Sequence, residues 1–368
     1  MAYLSPVGAH STVLDMTYLR DGASSATGVA YVGNATVEVR AIAPVAPGPG
    51  EVQIRVAFVG LCGTDLHIVH GAMDARVTMP LIFGHEMSGT IDTIGEGVVG
   101  WAVGDPVTVM PLAWDGTCPA CIAGHEHICQ NLDFIGIDSP GALQTLWTVP
   151  AHTLVALPAG LALDVAALVE PTAVAVHDVR RGEVAAGDHV VVLGGGPIGV
   201  LIATVARHAG AAVVIVEPDP GRRAQIEQLG HIAIDPRSTD QAAWVVEWTN
   251  GAGADVVFEV SGAAAAVAAA TGLARVRGTI VVVAIHGVPR EVDLKQVFWR
   301  ELRLLGARVY ERKDFETASS LLADGVVPSE LLITRVVPLT AVRAAFDDLE
   351  QGLAMKILVD VAAEEDAT

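Results

Sequence analysis

Residues 188–217 read DHVVVLGGGPIGVLIATVARHAGAAVVIVE, and the order of residue types in this stretch decides the fold. A short apolar run ends in three glycines. An apolar segment of helical length follows, then a second β-branched run. That is a strand, a tight turn, a helix and a strand. Gly194, Gly196 and Gly199 form the spacing G-x-G-x-x-G, with Pro197 and Ile198 inside it. Glycines so placed let the backbone approach a pyrophosphate at the N-terminus of a helix. Such a spacing alone is a weak signal. Here it follows a strand, opens a helix and is succeeded by an acid, Glu217, at the end of the next strand. A carboxylate there accepts both ribose hydroxyls of NAD and repels a 2′-phosphate, so NAD is the expected cofactor. Downstream, IAI, DVVFEV and TIVVVA read as further strands separated by QAAWVVEWTN and AAAAVAAATGLA, which complete a doubly wound parallel sheet. Ser261 and Ala284 fall just after two of these strands, where such sheets bind ligands. The apolar run 190–206 is too short for a membrane span and contains Gly-Gly-Gly-Pro.

Upstream lies a second kind of chemistry. Residues 61–71 read LCGTDLHIVHG and residues 80–89 read PLIFGHEMSG. Cys62 supplies a thiol and His85 an imidazole, about twenty residues apart. The pair suits a catalytic zinc ion that keeps one position open for substrate. An isolated Cys and His are more often packing residues. The continuation GHEMSGTIDTIGEGV weighs against that plainer reading. It resembles the signature of the zinc-containing medium-chain alcohol and polyol dehydrogenases, matching at Gly84, His85, Glu86, Gly89, Gly95 and Val98. The resemblance runs from about Val29 to Val361. It implies a GroES-like, β-rich catalytic domain joined to a Rossmann NAD-binding domain.

The same resemblance implies roles for individual residues. Thr64 and His67 have the spacing of a relay that carries the hydroxyl proton through the cofactor ribose to water. As alternatives, Thr64 caps the following helix and His67 is simply exposed on it. Asp65 orients a ligating histidine. Glu170, in LDVAALVEPTAVAVHDVRR, stands in an apolar run where a carboxylate must be paired, protonated or metal-bound. In the sorbitol- and butanediol-type enzymes, either this residue or Glu86 completes the zinc sphere, directly or through water. Arg222 matches a position lying against the adenine, although an arginine there could instead serve NADP.

A further cluster lies in WDGTCPACIAGHEHICQNL. Four cysteines usually hold a structural zinc at this point of the family. Three are kept here, Cys118, Cys121 and Cys129, and Asp115 stands in place of the first. Carboxylate oxygen is an acceptable zinc ligand. The competing arrangements are an empty lobe, or one that recruits His125 or His127.

With 368 residues, two domains are expected. The boundaries implied are an N-terminal extension at 1–26, a catalytic domain at 27–175, a Rossmann domain at 176–307 and a return to the catalytic domain at 308–368. The formal charge of −20 argues against nucleic acid or an anionic membrane as partner. Four cysteines, three of them tightly spaced, do not make a secreted disulfide framework. Residues 1–16 lack the basic start and apolar run of a signal peptide. A cytoplasmic enzyme is expected, assembled as a homodimer or homotetramer through an apolar edge strand. The reading is a zinc- and NAD-dependent dehydrogenase acting on a small-molecule secondary alcohol: a polyol, sugar alcohol or vicinal diol. L-threonine 3-dehydrogenase-like oxidation is the enzymatic alternative, and an NAD- or zinc-sensing protein without turnover the non-enzymatic one.

Overall fold

A computed structural model describes residues 26–363, so the expected extension at 1–26 lies almost wholly outside the described residues. The chain divides into two compact units. Among the described residues the first comprises 26–167 together with 335–350 and 357–363; the second comprises 168–334 and 351–356.

Unit one is β-rich. Strand Glu51–Gly60 is its spine, with the bounds its alternating sequence predicts; Val52, Ile54 and Val56 enter the core in turn, and a register shift between Val56 and Phe58 then buries Val59 in place of Phe58. It pairs antiparallel with Glu86–Ile94, with Leu146–Pro150 and with the C-terminal strand Lys356–Asp360. Pro106–Val109 and Leu154–Ala156 extend that sheet beyond Glu86–Ile94. A smaller sheet joins Thr36–Ile42, Ala26–Gly33 and Leu81–Ile82. Trp147, Tyr31, Phe83, Ile54 and Leu61 are fully buried in the unit. Burying a large apolar side chain contributes about 1.5–3 kcal/mol, so a few such residues outweigh any surface ion pair. This is the GroES-like half that the sequence implies.

Unit two carries a six-stranded, wholly parallel sheet. Its order is Ile232–Ile234, Ala212–Val216, His189–Leu193, Ala254–Glu259, Ala274–Val282, Arg303–Gly306. Numbered along the sheet's own sequence this is 3-2-1-4-5-6. The order reverses between His189–Leu193 and Ala254–Glu259, and open sheets bind ligands at that crevice. Val191, Leu193, Val214, Val257 and Ile280 form the apolar heart of this sheet. Near-continuous apolar strands are what a sheet covered on both faces requires.

The division of the chain differs from the sequence-based boundaries at both ends of the second unit. Helix Val169–Arg181 belongs with the parallel sheet from its first turn, and residues 308–334 stay there too. The cause is a pairing of this helix with Arg312–Ala323. Buried Asp314 accepts hydrogen bonds from Arg180 Nε and Nη2 at 2.9 Å each and lies 2.9 Å from His177 Nδ1. Burial acts to raise the Asp314 carboxyl, but the bonds from His177 and Arg180 win and hold it well below the usual carboxylate range.

Candidate active site

The spine strand ends at Gly60 and the chain turns into the short helix Gly63–Val69, with Cys62 as its N-cap. Asp65, in the first turn, accepts the Cys62 N–H at 3.0 Å and so fixes the turn that presents the thiol. His85 immediately precedes strand Glu86–Ile94. Because that strand pairs with the spine, the imidazole is carried to the thiol. Cys62 Sγ and His85 Nε2 lie 3.3 Å apart. Asp65 Oδ1 stands behind the ring at 3.8 Å from Nδ1, an ion-pair distance and too long for a hydrogen bond. Phe134 meets the imidazole edge-on with ring centroids 5.2 Å apart.

Burial dominates the electrostatics here. It pushes the Cys62 thiol up, with the Asp65 charge adding to it, and it pushes the Asp65 carboxyl up in turn. Asp65 Oδ1 is a buried oxygen with no hydrogen-bond partner. A thiol, an imidazole and a carboxylate thus have ligand atoms all within 4.8 Å of one another, and burial favours the neutral thiol and the neutral carboxylic acid. A divalent cation reverses that preference, and the donor set of sulfur and nitrogen is the one zinc takes. The residues present fit the ion.

Of the other residues singled out from the sequence, Glu86 is buried next to His85. Thr64 is half-buried and His67 exposed on the Gly63–Val69 helix. Glu170 is buried in the first turn of Val169–Arg181, in the second unit.

The cysteine lobe is a second donor cluster. Ligand atoms of Asp115, Cys118, Cys121 and Cys129 lie within 4.8 Å of one another, and none of the cysteines is disulfide-bonded. Backbone N–H groups point at the sulfurs: Cys121 and Gln130 donate to Cys118, and Asn131 donates to Cys129. Such donors favour a thiolate. The Cys118 thiol is lowered by them, whereas burial pushes Cys121 up to about 12. Asp115 is held well below the usual carboxylate range by the Asn131 amide and the N–H groups of Cys118 and Thr117. It is a fixed, ionised oxygen ligand beside three sulfurs, a set that fits zinc. His125 and His127 lie outside this cluster of four.

In the second unit Gly194, Gly196 and Gly199 lie in the turn between strand His189–Leu193 and helix Pro197–His208. Gly194 has φ +115° and lies against Ser261, where an added Cβ would come within 3.0 Å of the Ser261 Cβ. A Cβ at Gly199 would overlap the carbonyl oxygen of Gly194, so helix and turn meet only through glycine. Gly196 caps the helix Pro197–His208, with Pro197 at its first position, Ile198 following, and open space over the Gly196 Cα. Glu217 bends back to this turn. Its carboxylate accepts the N–H of Gly195 and the N–H of Asp219, each at 2.8 Å. Arg222 reaches the Ala354 carbonyl and Met355 sulfur at 3.5 Å.

Sequence reading missed three supports. Asn131 pins Asp115, as described. Glu259 accepts the Ser261 hydroxyl at 2.8 Å and the Gly262 N–H at 2.9 Å, and its second oxygen lies 3.1 Å from His286 Nε2. One buried carboxylate thus ties the Ser261 turn to the loop that follows strand Ala274–Val282. The signal was present as an acid ending an apolar strand. The third, Arg223, is bound to the carbonyls of Glu217 and Pro218 and paired with Asp235.

Comparison with known proteins bears directly on this arrangement. Residues 48–159 match the family model described as alcohol dehydrogenase GroES-like domain, and residues 197–324 match the one described as zinc-binding dehydrogenase. The chain belongs to the zinc-dependent medium-chain alcohol dehydrogenase family. It is 51% identical over 338 residues to 2-dehydro-3-deoxy-L-galactonate 5-dehydrogenase of Pseudoalteromonas atlantica, covering 91% of this chain and 98% of that one. It is 34% identical over 318 residues to a sorbitol dehydrogenase of Halalkalibacterium halodurans, covering 85% and 92%. Among solved structures, a protein described as a putative zinc-binding dehydrogenase from Sinorhizobium meliloti, bound to NADP, superimposes with a TM-score of 0.85 at 30% identity, covering 91% of this chain and 99% of that one. The protein is a zinc-binding, nicotinamide-dinucleotide-linked oxidoreductase acting on an alcohol. No helix among the described residues is long and apolar enough to cross a membrane.

Proposed function

We propose that this enzyme oxidises the secondary C5 hydroxyl of a six-carbon sugar acid, of the 2-keto-3-deoxy type, to a ketone with NAD as hydride acceptor. The 51% identity over nearly the full length of a 2-dehydro-3-deoxy-L-galactonate 5-dehydrogenase carries the choice of substrate, against 34% for the polyol-oxidising relative. The Cys62–His85 pair supports the chemistry.

Cys62 and His85 hold the zinc, with Glu86 or Glu170 completing the set. When bound, zinc acts as a Lewis acid on the alcohol oxygen and eases loss of its proton. Asp65 keeps the His85 ring in place from behind. Thr64 and His67 pass the hydroxyl proton outward to water. Bound NAD would supply the acceptor for the hydride that leaves the carbinol carbon as its C–O bond becomes a carbonyl, and the hydroxyl proton would pass to solvent. Gly194, Gly196 and Gly199, with Pro197 and Ile198 at the helix start, receive the pyrophosphate. Glu217 takes the adenosine ribose hydroxyls. Its pinned carboxylate favours NAD over NADP, with Arg222 beside the adenine; Ser261 and Ala284 line the dinucleotide crevice. Asp115, Cys118, Cys121 and Cys129 hold a second, structural zinc.

A homo-oligomer, dimer or tetramer, accounts for the edge strand Arg303–Gly306 and the neighbouring helix Leu294–Arg300. That helix has no buried residue and leaves Phe298 73% and Trp299 69% exposed.

The test is NADH formation with 2-keto-3-deoxy-L-galactonate, L-galactonate, sorbitol, 2,3-butanediol and L-threonine. The expected result is a kcat/KM for the 2-keto-3-deoxy acid at least about tenfold above the others, the scale of the net contribution of one hydrogen bond. A preference for sorbitol or butanediol overturns the substrate, and one for L-threonine replaces it with amino-alcohol oxidation.

A further inference from the structure

Gly60 ends the spine strand directly opposite Glu86, the first residue of the neighbouring antiparallel strand. Its backbone is ordinary, with φ outside the left-handed region that favours glycine. The turn that follows does not explain the residue either, since Leu61 and Cys62 make it. What the glycine supplies is space. A Cβ at Gly60 would overlap Oε2 of Glu86 and come within 3.2 Å of the Glu86 Cβ and 3.4 Å of its Cδ. The buried Glu86 side chain is therefore folded over the bare Cα of Gly60.

The strand cannot give way to an added methyl. On one side Gly60 is paired with Glu86, on the other with Leu358, and the next residue, Leu61, donates its N–H to the Ile357 carbonyl at 3.0 Å. The group free to move is the far end of the glutamate, a flexible side chain. Glu86 is in turn joined by one peptide bond to His85, whose ring touches the Cys62 sulfur. A Glu86 carboxylate oxygen lies within 4.8 Å of a ring nitrogen of His85, so the direction of this carboxylate bears on the metal site.

We propose that Gly60 is a positioning residue: its missing side chain holds the Glu86 carboxylate in the one orientation that serves the metal site. Gly60 acts only through Glu86. The proposal rests on the zinc chemistry proposed above and goes beyond it by assigning the orientation of Glu86 to a residue that touches neither metal nor substrate. Loss of a group that orients a metal site costs roughly ten- to a hundredfold in affinity, and Gly60→Ala is expected to fall in that range.

The experiment compares wild type, Gly60→Ala, Glu86→Ala and the double variant in two measurements. The first is zinc affinity of the catalytic site by chelator competition, with the visible spectrum of the cobalt-substituted protein. The second is thermal stability of the metal-free proteins. Gly60→Ala should weaken zinc binding ten- to a hundredfold and shift the cobalt bands. In the Glu86→Ala background the same substitution should change neither. Metal-free Gly60→Ala should melt lower than wild type, with the loss largely removed when Glu86 is also truncated. If Gly60→Ala fails to fold, recovery of folding in the double variant supports the contact, and failure of both overturns it. Wild-type zinc affinity and cobalt spectrum in Gly60→Ala, or an equal loss in both backgrounds, overturns the positioning role. A wild-type cobalt spectrum with no band sensitive to Cys62→Ser overturns the zinc reading itself, whatever the metal-free coupling shows.

Discussion

The Sγ of Cys62 lies 3.3 Å from Nε2 of His85 although 23 positions separate them, because one leaves the spine strand as the other enters the strand paired with it. The contact belongs to the sheet and not to any local motif. Removing the thiol should therefore cost the metal and spare the fold. Cys62→Ala is expected to lose zinc from this site and to lower kcat/KM by about a thousandfold or more, since charge stabilisation by the metal is worth several kcal/mol. Far-ultraviolet circular dichroism and metal analysis check both halves. Asp65→Asn, which keeps the shape behind His85 and removes the charge, should weaken zinc by about ten- to a hundredfold.

Asp115 predicts a different pattern. Its carboxylate is pinned by Asn131 and two backbone N–H groups beside three buried sulfurs, away from the Cys62–His85 pair. Asp115→Ala should drop the zinc content from about two per chain towards one and lower the melting temperature, with kcat changed less than threefold. Asp115→Cys should keep the second zinc. Elemental analysis of wild type that finds one zinc or fewer after supplementation removes the structural ion.

The proposed preference for NAD makes Glu217 the residue on which cofactor choice turns. Its two oxygens already receive the Gly195 and Asp219 N–H groups, so the negative charge is fixed at the turn. Glu217→Ser should raise kcat/KM for NADP and lower it for NAD, narrowing the preference by at least about tenfold. Comparable wild-type efficiency with the two cofactors contradicts the assignment and turns attention to Arg222.

His231 gives a pH signature. Burial, with a smaller contribution from Arg207, lowers its imidazole from the ordinary 6.5 to about 4, and its Nε2 lies 3.1 Å from the Thr204 hydroxyl. Between these values the unfolded chain binds a proton that the folded chain refuses. Stability must then fall as pH drops from about 6.5 to about 4, and the contribution is complete above that window. His231→Gln should flatten the acid limb of a urea-melt series across those pH values. An unchanged slope would assign that limb to other groups that take up protons between those pH values.

Much of this was legible because it is local. The period-two alternation of residues 51–60 gives that strand its bounds, and the glycine spacing before Glu217 gives the turn that Gly194 and Gly199 close. The Cys62 and His85 signals survive in sequence because each sits in a short run of distinctive residue types. What could not be read depends on partners far along the chain. Helix Val169–Arg181 joins the parallel sheet's unit through Asp314, more than 130 positions from His177 and Arg180. Gly60 is an unremarked strand end until Glu86 is seen above it. Asn131 and Glu259 are ordinary polar residues whose meaning comes from the atoms they reach.

The proposed reaction transfers hydride directly from a secondary sugar-acid carbon to NAD at a zinc site built on Cys62 and His85. The measurement closest to it uses 2-keto-3-deoxy-L-galactonate deuterated at C5, incubated with zinc-loaded enzyme and NAD, with the reduced cofactor read by mass spectrometry. One deuterium per NADH formed is expected, with no NADH from Cys62→Ala or from chelator-treated wild type until zinc is returned. Reduced cofactor without deuterium, or undiminished turnover in Cys62→Ala, would contradict it.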